Sequence, residues 1–360
     1  MDLTYYQIFR SKLDNDKYIH TENSSNSKGT KLVINTDKID SNYAFLLFPE
    51  NPAETSDKSY FIVHTNSGRM VGAQDGSSKE DKDIELANFT GNLDQLWSFN
   101  RDGNYYNVEN GYGYNWKLQN GETSNGTKIE QHSVTNNDNS YFDPKKFENA
   151  DGDFPSIPDP SLAEYAMRTE NPLNDTSLIP SDPASQMTTQ EVLIGECSIP
   201  FFYIKEDRTL SAQVEETPYY VLKRLQYWTQ YQDTVQIFAN SETTIDDIYF
   251  YGAKESETEE LTKTTSMEIT ADLGISYGVV SAGLSGTIGQ SLEVMESSTN
   301  ESYSEVTKTI TTTYYPEDYD RTLYFWQVVD VIRLEDGTGK KVFPDITMPA
   351  NYTYTQCISS

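Results

Sequence analysis

Residues 267–296 alternate between apolar and polar side chains, and this pattern constrains the fold more than any other feature of the chain. From Met267 to Tyr277 every second residue is apolar or small, and the alternation resumes after a Gly278–Ser281 turn. A period of two places the apolar side chains of a strand on one face. The segment 264–298 therefore predicts a β-hairpin with one apolar face. Its apolar residues are Met267, Ile269, Ala271, Leu273 and Ile275 in the first arm and Leu284, Ile288, Leu292 and Val294 in the second.

Both arms of this predicted hairpin are long enough to cross a bilayer, which takes roughly 9–11 residues of tilted strand. Strands cross lipid only when a closed barrel satisfies every backbone donor and acceptor. We therefore predict a membrane insertion hairpin whose apolar face meets lipid. The carboxylates of Glu268, Asp272 and Glu293 then face the lumen of the barrel. The alternative is an ordinary half-buried hairpin in a β-sandwich.

The bulk composition bounds the fold class and the partners. A length of 360 residues suggests about two domains of ~150 residues each. The formal net charge of -29 repels nucleic acids and anionic lipids, so we expect no nucleic-acid partner. The 26 tyrosines and 15 phenylalanines supply core area and favour strands, which predicts an all-β protein.

The two cysteines, Cys197 and Cys357, imply no disulfide framework; they either pair or stay free. No basic and apolar leader follows Met1, and no apolar run of roughly 18 residues occurs. We therefore expect the protein to accumulate in the cytoplasm of its producer, as an inclusion or a crystal. Release would then bring it to the target-cell membrane.

A weak internal repeat covers residues 1–150. The tetrad that begins at Gly29 recurs at Gly126. Leu32, Ile84 and Ile129 are each followed, after a gap of constant length, by an aromatic residue. Those aromatic residues are Phe45, Trp97 and Phe142.

The second repeat carries the sequence Gln95-Leu96-Trp97, which resembles the Q-x-W signature of ricin-B-type β-trefoil lectins. Three such repeats over residues 1–150 are similar to one trefoil domain. The resemblance implies that Phe45, Trp97 and Phe142 pack in the pseudo-threefold core.

Sugar sites in that family use an Asp thirteen residues before a polar strand residue. The matching positions here are His20, Gly72 and Lys117, so the galactose-type site does not carry over. A modified carbohydrate site stays open in the second repeat, with Trp116 or a nearby tyrosine as the stacking platform. The candidate residues are Glu85, Asp94, Gln95 and Trp116.

Residues 151–190 hold six of the 14 prolines, which predicts a semi-extended and protease-accessible linker. Residues 191–360 are rich in predicted strands, among them 192–194, 198–204, 233–238 and 323–334. Residues 218–228 read as a strand or a short helix. Two Ser/Thr-rich tracts, 255–266 and 297–313, flank the hairpin on either side.

Ser/Thr-rich strands that bracket an amphipathic hairpin resemble the aerolysin-type β-pore-forming toxins. The resemblance covers residues 191–360 and implies an elongated β-sheet pore-forming domain that assembles into a homo-oligomer on the membrane. A trefoil head on such a body is also similar to insecticidal crystal toxins, including binary-toxin proteins.

Enzymatic functions find little support in the sequence. The three histidines, His20, His64 and His132, all lie in the N-terminal part. Residues 151–360 therefore lack Ser-His-Asp and Cys-His catalysis and His-based zinc sites. No Gly-rich phosphate loop occurs. We predict a non-enzyme without metal or cofactor, and a glycosidase with a trefoil carbohydrate module is the enzyme alternative.

The patterns together predict a two-domain, pore-forming toxin, with insecticidal activity implied by resemblance. Its head would bind a cell-surface glycan or glycoprotein receptor, and its body would oligomerise and insert the hairpin. Two alternatives stay open. One is a non-lytic lectin or adhesin, and the other is one component of a binary toxin that needs a partner protein.

Overall fold

The computed structural model describes residues 6–36, 40–51, 59–135, 137–147, 176–269, 273–278, 280, 282–296 and 306–359. The chain is mostly β and divides into two compact units. Among the described residues, the head unit contains residues 6–147, Ile199–Tyr220 and a short stretch ending at Leu284. The body unit contains the remainder. The predicted linker 151–190 lies outside the described residues up to position 175.

Twelve strands lie in the described part of the head. They are β1 (Gln7–Ser11), β2 (Tyr18–Thr21), β3 (Leu32–Asn35), β4 (Phe45–Pro49), β5 (Ser59–His64), β6 (Arg69–Ala73), β7 (Lys82–Ala87), β8 (Leu96–Asp102), β9 (Tyr105–Asn110), β10 (Tyr114–Leu118), β11 (Ile129–Ser133) and β12 (Phe142–Lys146).

The head strands form a trefoil. β1, β4, β5, β8, β9 and β12 pair in turn and close into a ring. The hairpins β2–β3, β6–β7 and β10–β11 repeat around this ring and join one another through single bridges such as Lys31↔Glu85 and Val33↔Lys128. Closure removes the open sheet edges of the ring. The β-trefoil predicted for this part of the chain is therefore correct.

The aromatic residues of the three repeats lie inside this barrel. Phe45, Trp97 and Phe142 have no exposed surface and belong to one apolar cluster. The Trp97 and Trp116 rings pack edge to face, with centroids 5.3 Å apart. The repeat spacing thus delivers one large ring from each repeat to a shared core.

Residues 199–220, which we call the strap, are part of the head unit although they follow the linker. The strap contains helix α1 (Leu210–Glu216), which the Thr209 hydroxyl caps. The Phe202 ring packs against Phe48, Phe61 and Phe89, with centroid distances of 5.4, 5.3 and 4.7 Å. The head is therefore larger than the predicted domain 1–150, because the strap covers the aromatic side chains of Phe48, Phe61 and Phe89.

In its described residues the body contains ten strands and two α-helices. The strands are β13 (Val192–Pro200), β14 (Tyr219–Gln230), β15 (Val235–Ile237), β16 (Thr243–Tyr251), β17 (Met267–Ile269), β18 (Gly274–Tyr277), β19 (Met295–Glu296), β20 (Val306–Tyr314), β21 (Arg321–Glu335) and β22 (Ile346–Ser359). The helices are α2 (Glu255–Thr264) and α3 (Ala282–Leu292).

The long strand β21 organises the main body sheet. It pairs with β14 from Trp326 to Glu335, with β15 near Arg321, and with β22 along its other edge. β13 continues the sheet beyond β14. The residues predicted as strand at 233–238 and 323–334 fall in β15 and β21, and the ambiguous segment 218–228 is a strand.

The Ser/Thr-rich tracts differ from each other in structure. The second contributes β20, which pairs with β16 in a two-stranded sheet, and its residues 297–305 lie outside the described part. The first tract was wrongly expected to be a strand and instead forms α2. Glu255 and Glu257 lie in its first turn and Lys263 in its last, the charge order that a helix dipole favours.

Candidate functional site

The Q-x-W residues of the second repeat perform structural work. The Trp97 indole N–H donates to the Val71 carbonyl at 2.9 Å. The Gln95 amide donates to the Asn88 carbonyl at 2.7 Å and accepts from the Thr90 backbone N–H at 2.8 Å. Gln95 is buried. Its amide is thus committed to holding the loop 88–90 rather than presented to a ligand.

Two further sugar-site candidates are also engaged inside the head. Glu85 is buried and its carboxylate lies 2.6 Å from the Lys31 ammonium. Trp116 has no exposed surface and packs in the trefoil core. Its prediction as a stacking platform for a sugar is wrong, because the side chain at this position of β10 points into the barrel.

Asp94 is the chemically distinct candidate. Its side chain is 1% exposed, and one carboxylate oxygen, Oδ1, has no hydrogen-bond partner. Burial raises the pKa of Asp94 to about 6. An ionised carboxylate without full hydrogen bonding is costly in such a place. A strongly shifted pKa of a buried acidic residue is one of the features by which functional sites are recognised.

The Asp94 carboxylate lies beside Gly72, the position at which ricin-B-type sugar sites would carry an Asp. A Cβ atom at Gly72 would come within 2.9 Å of Asp94 Oδ2. The absent side chain therefore makes room for a carboxylate that arrives from the neighbouring segment. A rule based on residue spacing could not find this carboxylate, because it comes from a different segment of the chain. The sequence did contain one hint: of the three equivalent repeat positions, only the second is acidic, and it is the one that faces Gly72.

The equivalent positions in the other repeats carry Asn42 and Asn139. Asn42 accepts a hydrogen bond from the Asn66 amide at 3.0 Å. The Asn139 amide lies 3.3 Å from where a Cβ at Gly121 would stand, much as Asp94 faces Gly76. The three repeats thus place equivalent residues at Asn42, Asp94 and Asn139, and only the second of these is a carboxylate that can change charge.

The predicted insertion hairpin is folded differently from its expected form. The first arm was predicted as one strand from Met267 to Tyr277, but it doubles back so that β17 pairs with β18 and Met267 lies opposite Tyr277. Leu273 has a positive φ of 54° at this reversal. The predicted lipid-facing Ala271 and lumen-facing Asp272 lie outside the described residues.

The second arm is the helix α3 rather than a strand. Leu284, Ile288 and Leu292 have no exposed surface. Their spacing of four residues is even, so it satisfies the period of a strand, but it also places them on one side of an α-helix. The strand prediction for this arm is therefore wrong because the pattern could not separate the two structures.

The remaining residues of the predicted hairpin are divided between buried and exposed environments. Met267, Ile269, Ile275 and Val294 are buried and Leu273 is half-buried. Glu268 is half-buried and Glu293 is exposed. After Val294 the chain forms β19, which pairs in parallel with β18. The apolar face is thus covered in this conformation.

Other kinds of site find no support in the described part of the chain. None of its helices is long and apolar enough to span a membrane. No cluster of three or more His, Cys, Asp or Glu side chains suited to a metal ion occurs among those residues. Cys197 is buried and Cys357 is exposed, and both are free thiols.

Comparisons with known families agree with this division of the chain. Residues 44–132 match the family model of ricin-type β-trefoil lectin domains, and residues 192–353 match that of the insecticidal crystal toxin P42. The chain thus combines a region similar to ricin-type trefoil lectin domains with a region similar to the insecticidal crystal toxin P42 family, and each match covers less than half of the chain.

Two known proteins illustrate this similarity. The binary larvicide subunit BinA of Lysinibacillus sphaericus is 24% identical over 197 residues, which are 54% of this chain and 51% of the relative. The match therefore spans about half the length of that curated protein. The crystal structure of Cry35Ab1 aligns with 99% of this chain and 90% of its own, at a TM-score of 0.75 and 16% identity. This second likeness shows that the two chains share a fold.

Proposed function

We propose that this protein is an insecticidal pore-forming toxin whose trefoil head binds a cell-surface glycan or glycoprotein and whose body inserts residues 264–298 into the target membrane. The family matches of the two units support a toxin with a lectin-like domain. The insertion step requires the segment to leave its soluble conformation and pair with copies from other subunits.

The observation that carries this proposal is the dual pattern of α3. Leu284, Ile288 and Leu292 share one side of the helix and, because their spacing is even, would also share one face of a strand. The same residues can therefore be buried in the soluble body and meet lipid in a barrel.

The composition of α3 lowers the free-energy cost of unwinding the helix. Gly283, Gly286 and Gly289 lie within the helix. Each glycine costs a helix roughly 1 kcal/mol relative to alanine, so the three weaken α3 by about 2–3 kcal/mol. Ser and Thr occupy several of the remaining positions. In a closed barrel, by contrast, neighbouring hairpins satisfy every backbone group.

The first arm would open in the same transition. β17 and β18 would separate and extend into one strand from Met267 to Tyr277. Glu268, Asp272 and Glu293 would then repeat around the lumen once per subunit. Rings of carboxylates favour cations over anions, so we expect a cation-selective pore.

Dye release from vesicles of insect midgut brush-border membrane tests this proposal. Met267 and Tyr277 are directly paired, a separation that suits a disulfide. The double variant Met267→Cys, Tyr277→Cys would be made in a Cys197→Ala, Cys357→Ser background. We expect it to release no dye when oxidised and to regain release with reductant. Release that is indifferent to oxidation would show that the first arm does not extend.

A binary toxin is the second candidate function, and the match to a binary larvicide subunit favours it. In that case the chain alone would bind vesicles without releasing dye, and release would need a second protein. Saturable glycan-dependent binding without release under any condition would instead indicate a non-lytic lectin or adhesin.

A further inference from the structure

Arg224 is a buried cation on a face of the body sheet that also carries large apolar side chains. Along β14, Arg224 and Gln226 share that face with Leu222 and Trp228, and all four are buried. Arg224 Nε donates to Asp330 Oδ1 on β21 at 2.7 Å. The Gln226 amide donates to the same oxygen at 2.8 Å. Asp330 thus fixes the guanidinium while leaving its other nitrogens available.

Another nitrogen of the Arg224 guanidinium hydrogen-bonds to the C-terminal end of α3. Arg224 Nη1 donates to the Leu292 carbonyl at 3.0 Å and to the Glu293 carbonyl at 2.7 Å. The last carbonyls of a helix have no partner within the helix, and a positive charge there also complements the helix dipole. Glu293 adopts a φ of 52° immediately after the helix and ends it.

A glycine on the neighbouring strand makes this approach possible. A Cβ atom at Gly195 of β13 would lie 1.7 Å from the Ser291 carbonyl oxygen. Any side chain there would displace the end of α3. The end of α3 therefore packs on the body sheet at a point where Gly195 of β13 leaves room for it and Arg224 of β14 supplies a positive charge.

The buried ion pair is better explained by this grip than by sheet stability. Removing two charges from water is costly, and apolar pairs of similar volume are commonly as stable or more so. What Arg224 provides that an apolar side chain does not is a pair of hydrogen bonds to the carbonyls of a glycine-weakened helix. Its signal in the sequence is an arginine, followed two residues later by Gln226, among the otherwise apolar alternate residues of 220–228.

We propose that Arg224, oriented by Asp330 and admitted by Gly195, is a latch that holds the C-terminal end of α3 on the body sheet and sets how readily residues 282–296 are released. As a regulator of insertion it rests on the proposed pore function. As a restraint on α3 it stands on the contacts alone. Weakening the latch frees the segment, and stabilising α3 opposes its release.

Hydrogen–deuterium exchange on the full chain in solution, without membranes, tests the latch. Arg224→Lys keeps the charge beside Asp330 but loses the fork, and Gly195→Ala pushes on Ser291 from another strand. We expect both variants to exchange the amides of α3 about tenfold faster or more, with β21 unchanged. Arg333→Lys is the control, since Arg333 lies on the same sheet and pairs with Glu191 and Asp345 instead.

Gly286→Ala is the variant of opposite sign, because Gly286 is exposed in α3 and a Cβ there meets nothing within 4 Å. It should slow exchange of α3. Unchanged exchange of α3 in Arg224→Lys and Gly195→Ala, or equal loosening of β21, would overturn the latch.

The same variants in the dye-release assay separate the latch from the proposed function. Faster exchange together with faster release supports both. Faster exchange with no release from any variant keeps the latch and overturns the pore. Release by the parent chain that is unaffected in both loosened variants keeps the pore and overturns the latch as its regulator.

Discussion

The trefoil core and the segment 267–296 both obey strict apolar spacing, yet only the first folds as its spacing predicts. In the head, the spacing brings one large aromatic from each repeat to a common centre, where Trp97 and its neighbours have no exposed surface. In the body, the spacing falls on small and flexible residues that fit a helix and a strand equally. Large rings in a closed barrel specify one structure, whereas a Gly/Ser-rich apolar pattern permits two.

The largest expected effect on stability comes from replacing one buried side chain in each region by alanine. Trp97→Ala should lower the free energy of unfolding by about 3–5 kcal/mol, because it leaves a cavity and an unpaired Val71 carbonyl in a rigid barrel. Ile288→Ala in α3 should lower it less, since the segment can detach while the sheets persist. Urea unfolding followed by circular dichroism measures both.

Hydrogen exchange provides the control for this pair. Ile288→Ala should accelerate exchange within α3 while leaving the trefoil untouched. Equal global losses for the two variants would break the contrast between a rigid head and a releasable segment.

The strap sharpens the comparison, because it follows the linker in sequence but shares the rigidity of the head. Phe202→Ala should destabilise the head by about 3 kcal/mol, since it removes the ring that contacts Phe48, Phe61 and Phe89. Exchange of β4 and β5 should accelerate. If those strands keep their protection, the strap belongs with the releasable part of the molecule.

Asp94 is a weak point inside the rigid region. Its folded-state pKa of about 6 lies above the ordinary value of 3.8. Its contribution to stability is therefore present below pH 4 and is lost as pH rises through 6. Asp94→Asn, which copies Asn42 and Asn139, should gain about 3 kcal/mol over the parent at pH 8 and little at pH 4.

Thermal unfolding between pH 4 and pH 8 measures this difference, with the exposed Asp81→Asn as the matched control. Parallel stability profiles for parent and Asp94→Asn would contradict the assignment. If Asp94 contacts a glycan, the same variant should also weaken binding on a glycan array while leaving the fold intact.

The smallest effect concerns the helix itself. Gly286→Ala should stabilise α3 by up to about 1 kcal/mol, because alanine is the better helix former and nothing obstructs its Cβ. Dye release should slow without loss of vesicle binding. Unchanged or faster release would show that unwinding of α3 does not limit insertion.

The sequence predicted the head and the main body sheet better than it predicted the segment 267–296. The repeat of Phe45, Trp97 and Phe142 predicted the trefoil, and the strand predicted at residues 323–334 lies within the central body strand β21. The hairpin prediction failed at α3, because a spacing of four residues cannot separate period 2 from period 3.6. The carboxylate beside Gly72 could not be predicted either, since it depends on two segments that only the folded trefoil brings together.

The strap bears on how such toxins can be rebuilt. A head exchanged at the proline-rich linker would leave Phe48, Phe61 and Phe89 of this trefoil without their aromatic cover and would offer Phe202 to a foreign surface. Retargeting by graft therefore needs two pieces of chain, residues up to 147 and residues 199–220, to travel together. The unit of recombination in this molecule is discontinuous, and substitutions on either piece constrain those that the other can accept.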